Sequence, residues 1–324
     1  MLLPAALLVF FSCSHNPGEQ GEVDTTENAI QMQKFVENIS SHARSRAPGF
    51  IIVPQNGSEL AFTETGPDDT EPDYGVRHSY ISAIDGIGIE ELFYNGNLNI
   101  DNERLDMLEI LKDSVKIMVS DYVSDNNKIS DAVKRDMEKG FIAFPRRGDN
   151  YDYTYIPNAS DLSAALTSTF TSDNITELSE AKNFLYLIGP DLKKYPTKAS
   201  LIDAINKTNY DVVLIDLFTY NPSFTREEID QLKNKANSGK RLVLSYISIG
   251  SAEKYRYYWQ KGWKKGKPSW LKKAYEGYPD EFWVQYWNKE WQDIIYNYID
   301  KIIDAGFDGA YLDNVEAYYF LVNN

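Results

Sequence analysis

Hydrophobic positions along this chain switch repeatedly between helical spacing and short continuous runs. Over residues 28–46, Ile30, Met32, Phe35, Val36 and Ile39 recur at helical spacing until Pro48-Gly49 stops them, which predicts a helix. FIIVP (50–54) follows as a short apolar strand. Further strands are predicted at 83–94, 115–123, 183–188, 211–218, 241–250, 281–287 and 309–315, with helices near 101–113, 129–139, 198–207, 225–236 and 289–305. FIAFPRR (141–147) trails the 129–139 helix. Residues 148–182 are rich in Ser, Thr, Asn and Asp without a sustained period and read as a connection.

This gives three strands before the connection and five after it. Each is followed by a helix except the last, and one helix too many precedes the first. The two irregularities cancel if strand 309–315 lies beside strand 50–54, so that helix 28–46 fills the missing crossover. A closed parallel sheet, the (β/α)8 TIM barrel, does this naturally and would take up 28–324 as a single α/β domain. An open doubly wound sheet is the main competitor, and no Gly-x-Gly-x-x-Gly follows any strand to support a dinucleotide fold.

Composition narrows the chemistry. A net charge of −15 disfavours nucleic acid as a partner. With three histidines (His15, His42, His78) and one cysteine (Cys13), a zinc site or a Ser-His-Asp triad is hard to assemble, and no metal or cofactor is expected. The 23 Tyr and 6 Trp exceed ordinary packing needs and suit carbohydrate. Residues 2–11 form an apolar run too short to span a bilayer, followed shortly by Cys13. That arrangement resembles a bacterial lipoprotein signal (1–13) with Cys13 as the lipidated residue and 14–27 as a polar tether. It implies a membrane anchor and a cell-envelope location, facing the periplasm or the cell surface.

Working residues of such barrels sit at the C-terminal ends of strands. Those ends carry Gln55, Asn56, Glu90, Glu91, Asp121, Asp216, Tyr246, Ser248, Glu253, Gln285, Trp287, Asp313, Asn314 and Glu316. Lysine is missing from them, which argues against a Schiff-base aldolase. A bowl of carboxylates and aromatics fits glycosidic bond cleavage, in which one acid protonates the leaving oxygen and a second carboxylate acts as nucleophile or base. Tyr255, Tyr257, Tyr258, Trp259, Trp263, Trp270, Trp283, Tyr286 and Trp287 would offer stacking surfaces, about half of them serving packing instead.

Four segments of the second half, YDVVLIDLF (210–218), RLVLSYISIGSAEKYRYYW (241–259), FWVQYWNKEWQDII (282–295) and AGFDGAYLDNVEAYY (305–319), resemble the bacterial branch of glycoside hydrolase family 114. Its members are endo-α-1,4-polygalactosaminidases and relatives built on a TIM barrel. MQKFVENISSHARSRAPGFIIVPQNGSEL, IDGIGIEELFY and VKIMVSDYV resemble the later strands of that family. The order is circularly permuted: 28–147 corresponds to the family's C-terminal half, 183–324 to its N-terminal half, and 148–182 joins them. The resemblance implies hydrolysis of a galactosamine-containing polysaccharide. Asp216, Glu253 and Asp313 are then expected as acid/base and nucleophile, with Tyr246, Ser248, Arg256, Trp287, Asn314, Glu316, Gln55, Asn56 and Glu91 positioning sugar. Relatives often read Ser-Ile-Gly-Glu-Ala-Glu where this chain has Ser251 in place of the first Glu. A catalytically impaired surface glycan-binding barrel is therefore the second expectation.

Overall fold

A computed structural model describes residues 26–62, 75–147, 153–158 and 161–321. Cys13 and the proposed tether up to residue 25 lie outside the described residues. The described helices are α1 (Thr26–Arg46), α2 (His78–Ala83), α3 (Asn102–Leu111), α4 (Asn127–Lys139), α5 (Ala164–Thr167), α6 (Lys198–Asn206), α7 (Arg226–Leu232), α8 (Lys289–Asp304) and α9 (Ala317–Phe320). The strands are β1 (Ile51–Pro54), β2 (Gly86–Leu98), β3 (Lys116–Val123), β4 (Ile142–Ala143), β5 (Arg146–Arg147), β6 (Phe184–Tyr186), β7 (Val212–Ile215), β8 (Leu242–Ser248), β9 (Ser251–Glu253), β10 (Leu271–Tyr275), β11 (Tyr278–Val284) and β12 (Gly309–Asp313). No described helix is long and apolar enough to cross a membrane.

The architecture is mixed α/β with parallel sheets, as in a TIM-barrel-like fold. One sheet runs β1-β12-β8-β7-β6 and a second runs β2-β3-β4, with β5 also on β3. A parallel bridge between Gln55 and Gly88 links β1 to β2. At the far ends, Phe144 after β4 packs on Phe184 of β6 with ring centroids 5.6 Å apart, although no backbone ladder joins these two strands among the described residues. The short, fully buried runs IIVP and VVLI are what a parallel sheet covered on both faces requires.

The predicted neighbours β1 and β12 pair in parallel, Ile51 opposite Gly309 and Val53 opposite Tyr311. Helix α1 lies against α8, where Arg46 bridges Asp300 at 2.7 Å and Asp304 at 3.0 Å. Capping defines several helices: Thr197 and Thr225 each close a capping box at the starts of α6 and α7, and Asn288 accepts from the Glu290 N–H at the start of α8.

The strand predicted at 281–287 requires correction. Residues 281–284 belong to β11, which pairs antiparallel with β9 and β10 in a separate three-stranded sheet, while 285–287 lie outside any strand and β8 and β12 are direct neighbours in the parallel sheet. Apolar periodicity reports a strand but not its direction. The local sign of reversal is Gly277, whose φ of +83° turns the chain between β10 and β11. The place in the parallel sheets goes instead to FIAFPRR, as β4 and β5. The connection 148–182 is also less plain than its composition implied. Leu166 of α5 packs with Val133 and Ala143, and Tyr153 stacks on Tyr186 at 3.8 Å.

Candidate active site

Register decides which strand residues share a face. Along β12, Gly309, Tyr311 and Asp313 stand opposite Leu244, Tyr246 and Ser248 of β8, and Leu214 of β7 stands opposite Leu244. Continuing with period two, Asp216 falls on the same face as Tyr246 and Asp313. Gln55, Gly88 and Glu90 join this face through the Gln55–Gly88 bridge, and Tyr122 and Arg146 through the β2–β3 and β3–β5 ladders. Gly88 is needed there, because a Cβ at that position would lie 1.8 Å from the Tyr311 hydroxyl.

At the ends of β7 and β8 one guanidinium gathers two carboxylates. Arg256 donates from Nη1 to Asp216 Oδ2 at 2.5 Å and from Nη2 to Glu253 Oε1 at 3.2 Å. Its Nε donates to Glu253 Oε2 at 2.5 Å, completing a two-pronged grip on that carboxylate. Burial lifts the Asp216 carboxyl above its ordinary range even against the adjacent guanidinium. The Tyr255 hydroxyl donates to Glu253. These residues, with Tyr246, Tyr153, Phe218, Leu192 and Pro190, line a cleft of about 450 Å³.

Asp313 sits behind Tyr246, whose hydroxyl donates to Oδ2 at 2.5 Å, while the Asn314 N–H donates to Oδ1 at 2.7 Å. Among the described residues no cation touches it. Burial first, opposed by the Tyr246 hydrogen bond, pushes its carboxyl up to about 7.

A fourth acid, absent from the sequence-based set, completes this side. Glu281 on β11 stands directly opposite Glu253 on β9. Its Oε1 accepts from the Ser251 hydroxyl and from Asn314 Nδ2 at 3.2 Å. Asn314 Nδ2 also lies 2.9 Å from Ser248 Oγ and 3.0 Å from Ser251 Oγ, so Ser248, Ser251, Asn314 and Glu281 form one network. Burial first, then the neighbouring Glu253 charge, raises the Glu281 carboxyl to about 8. Gly250 lets β9 turn off the end of β8, because a Cβ there would lie 2.0 Å from the Asn314 carbonyl oxygen.

The remaining predicted positions divide. Gln55 is buried with both ends of its amide engaged: Nε2 donates to Glu90 at 2.5 Å, and Oε1 accepts from the Tyr186 hydroxyl at 2.9 Å. Glu90 also accepts from the Tyr122 and Tyr153 hydroxyls. Asn56 receives the Glu90 N–H on its side chain at 3.1 Å. Glu91 holds Asn95 Nδ2 at 2.8 Å, and burial raises its carboxyl to about 7. Glu316 lies near Glu59, Arg104, Glu90 and Asp313, and burial raises it to about 8. Asn56, Glu91 and Asn314 all have φ near +60° (59°, 58° and 61°), a conformation uncommon outside glycine that gathers at functional strand ends.

Three positions stand apart from the cleft. Asp121 has the outward parity and accepts from the Phe93 and Tyr94 N–H groups at 3.0 and 3.2 Å, clamping the irregular part of β2. Trp287 meets Tyr286, whose hydroxyl donates to the Asn28 carbonyl at the start of α1. Gln285 follows the antiparallel β11 and bonds through its N–H to the Trp270 carbonyl. Of the aromatic cluster, Trp259, Trp263 and Trp270 form an edge-on chain ending on Trp291 of α8, which is packing, whereas Tyr255 lines the cleft and is 70% exposed. Among the described residues no group of three or more His, Cys, Asp or Glu is arranged to hold a metal ion.

Parts of the chain are similar to known proteins. An uncharacterized protein of Methanocaldococcus jannaschii is 35% identical over 178 residues, 54% of this chain and 49% of that protein. Uncharacterized proteins of Thermotoga maritima (30% over 116 residues) and Deinococcus radiodurans (36% over 118 residues) each align with 36% of this chain, and with 36% and 37% of their own lengths. The chain thus spans about half, or less, of the relatives it matches. Residues 166–324 match the model of glycoside-hydrolase family GH114.

Proposed function

We propose that this chain hydrolyses a galactosamine-containing polysaccharide with a pair of carboxylates, in the manner of an endo-α-1,4-polygalactosaminidase. The observation that carries the reading is the cleft at the ends of β7 and β8, where Asp216, Glu253, Arg256 and Tyr246 meet, with Asp313 bound to Tyr246. Glycosidic cleavage needs one carboxyl group that keeps its proton and another that is ionised near the anomeric carbon. Asp313 is read as the ionised partner, its carboxylate held by hydrogen bonds from the Tyr246 hydroxyl and the Asn314 N–H. Asp216 and Glu253 are held by Arg256 and read as groups that orient sugar hydroxyls and tune the local field. Tyr255 supplies a ring for stacking.

On this reading the strand order β4/β5-β3-β2-β1-β12-β8-β7-β6 closes as a (β/α)8 barrel, with Phe144 on Phe184 at the seam. The family's two halves are then joined in reverse order, which barrels tolerate because the joined ends lie on neighbouring elements. Lipidation of Cys13 would hold the barrel at a bacterial membrane, next to extracellular polysaccharide.

The full chain incubated with α-1,4-linked polygalactosamine is expected to release new reducing ends. A second reading, a glycan-binding barrel without catalysis, is favoured by the grip of Arg256 on both Asp216 and Glu253. Saturable binding of the polymer with no reducing ends released would decide for it.

A further inference from the structure

Burial raises two acids beside the cleft, Asp313 and Glu281, and they differ in what their oxygens touch. Both oxygens of Asp313 accept hydrogen bonds, one from Tyr246 and one from the Asn314 backbone. In Glu281 the donors converge on a single oxygen: the Ser251 hydroxyl and the Asn314 side-chain amide both reach Oε1. In the neutral form of this acid the oxygen that accepts both donors is the carbonyl oxygen, which leaves Oε2 to carry the proton. No described residue hydrogen-bonds Oε2 of Glu281. Because Glu281 and Glu253 are cross-strand partners in the antiparallel β9–β11 ladder, their side chains leave the hairpin on the same face. Glu253 lines the cleft.

We propose that Glu281 is the proton donor of this site, held by Ser251 and Asn314 with its Oε2 hydroxyl turned to the leaving glycosidic oxygen. The inference rests on the hydrolase reading above and extends it with a residue outside the three carboxylates expected from sequence. The step balances. The Oε2 proton passes to the glycosidic oxygen as its bond to the anomeric carbon breaks, and the electron pair of that bond stays on the leaving oxygen, which departs as a neutral hydroxyl. Water supplies hydroxyl to the anomeric carbon and a proton that restores the site.

The groups facing Glu281 are consistent with this role. Glu253 on β9 and Asp313 at the end of β12 both disfavour its ionisation, whereas Arg256 and the Ser251 hydrogen bond favour it. The balance leaves the acid protonated at neutral pH. Ser248 steadies Ser251 at 2.6 Å between hydroxyl oxygens, so the holder is itself held.

The test uses the full chain and two substrates, α-1,4-linked polygalactosamine and a dinitrophenyl α-glycoside of galactosamine, whose leaving group needs no proton. Glu281→Gln is expected to lower kcat/KM on the polymer by about 10²–10⁴-fold, while the dinitrophenyl substrate loses less than about ten-fold. The basic limb of the polymer pH profile should vanish with it. Ser251→Ala removes a hydrogen bond that favours the anion, so it should move that limb to higher pH, a shift that a purely structural role for Ser251 would not produce. Infrared difference spectra at pH 7 should show a carboxylic-acid C=O band that Glu281→Gln abolishes. If the parent cleaves and Glu281→Gln matches it on the polymer, the donor assignment is overturned while the hydrolase reading stands. Equal losses on both substrates, or no band lost in the variant, also overturn it. If the parent cleaves neither substrate, the hydrolase reading fails and takes the donor role with it.

Discussion

The two sides of the site use the same residue types to opposite ends. On the β1–β3 side, Glu90 is buried and receives Gln55, Tyr122 and Tyr153, with Tyr186 closing the far end of the Gln55 amide. That carboxylate is walled in by donors. On the β7–β12 side, Asp216 and Glu253 are buried to a similar degree but line a cleft, Asp313 and Glu281 beside them are only partly buried, and Oε2 of Glu281 has no hydrogen-bond partner among the described residues. Burial and acidity therefore do not separate a structural carboxyl from a reactive one. The separating property is whether hydrogen-bonding capacity is exhausted within the protein.

Charge removal should act most strongly on the open side. Asp313→Asn is expected to lower polymer hydrolysis by about 10²–10⁴-fold with little change in the thermal midpoint, since the amide keeps the shape. Reducing-end release together with calorimetry checks both halves of this statement. Parental activity in that variant would remove the proposed distinction between the sides. Arg256→Ala should cost stability as well, about 3–5 kcal/mol in urea unfolding, because Asp216 and Glu253 would be left buried without their cation.

On the closed side the expected effect is smaller and purely structural. Glu90→Gln should lower unfolding free energy by about 1–3 kcal/mol, since an amide cannot accept every donor that now converges there. The kcat of the folded fraction should stay near the parental value. A selective loss of kcat would mean that Glu90 works in the reaction and that the two sides are functionally alike.

The mildest test is pH. Asp313 and Glu91 near 7 and Glu316 near 8 all bind protons more tightly folded than unfolded, where such groups titrate near 4. Their contribution to stability is therefore complete below about pH 4 and is lost as pH rises through about 7 to 8. The thermal midpoint should fall over that range, and Glu316→Gln should flatten the fall. An unchanged slope in that variant would place Glu316 in solvent contact rather than in the buried rim.

Much of this arrangement was legible in the chain itself. The helix left over at the start and missing at the end pointed to the β1–β12 pairing, and strand ends LID and YLD marked Asp216 and Asp313. Glu281 was illegible for a directional reason. Read as a parallel strand, 281–287 would place Glu281 at its beginning, on the far side of the sheet from the cleft. Run antiparallel as β11, the same residue faces Glu253. Its partner β10 is LKKAY, too charged to stand out as a strand, so the hairpin left only Gly277 as a sign. Tyr153 was hidden differently, inside a polar connection with no period to reveal that one ring drops onto Tyr186.

The pairing of β1 with β12 also sets a schedule for biosynthesis. Strand β1 leaves the ribosome well before its neighbour β12, and at about 5–20 residues per second that interval lasts tens of seconds. Throughout it the nascent chain carries an apolar strand edge with nothing to pair with, a template for association with other chains. Demand on chaperones should therefore be set by the time needed to reach β12, more than by the stability of the folded protein.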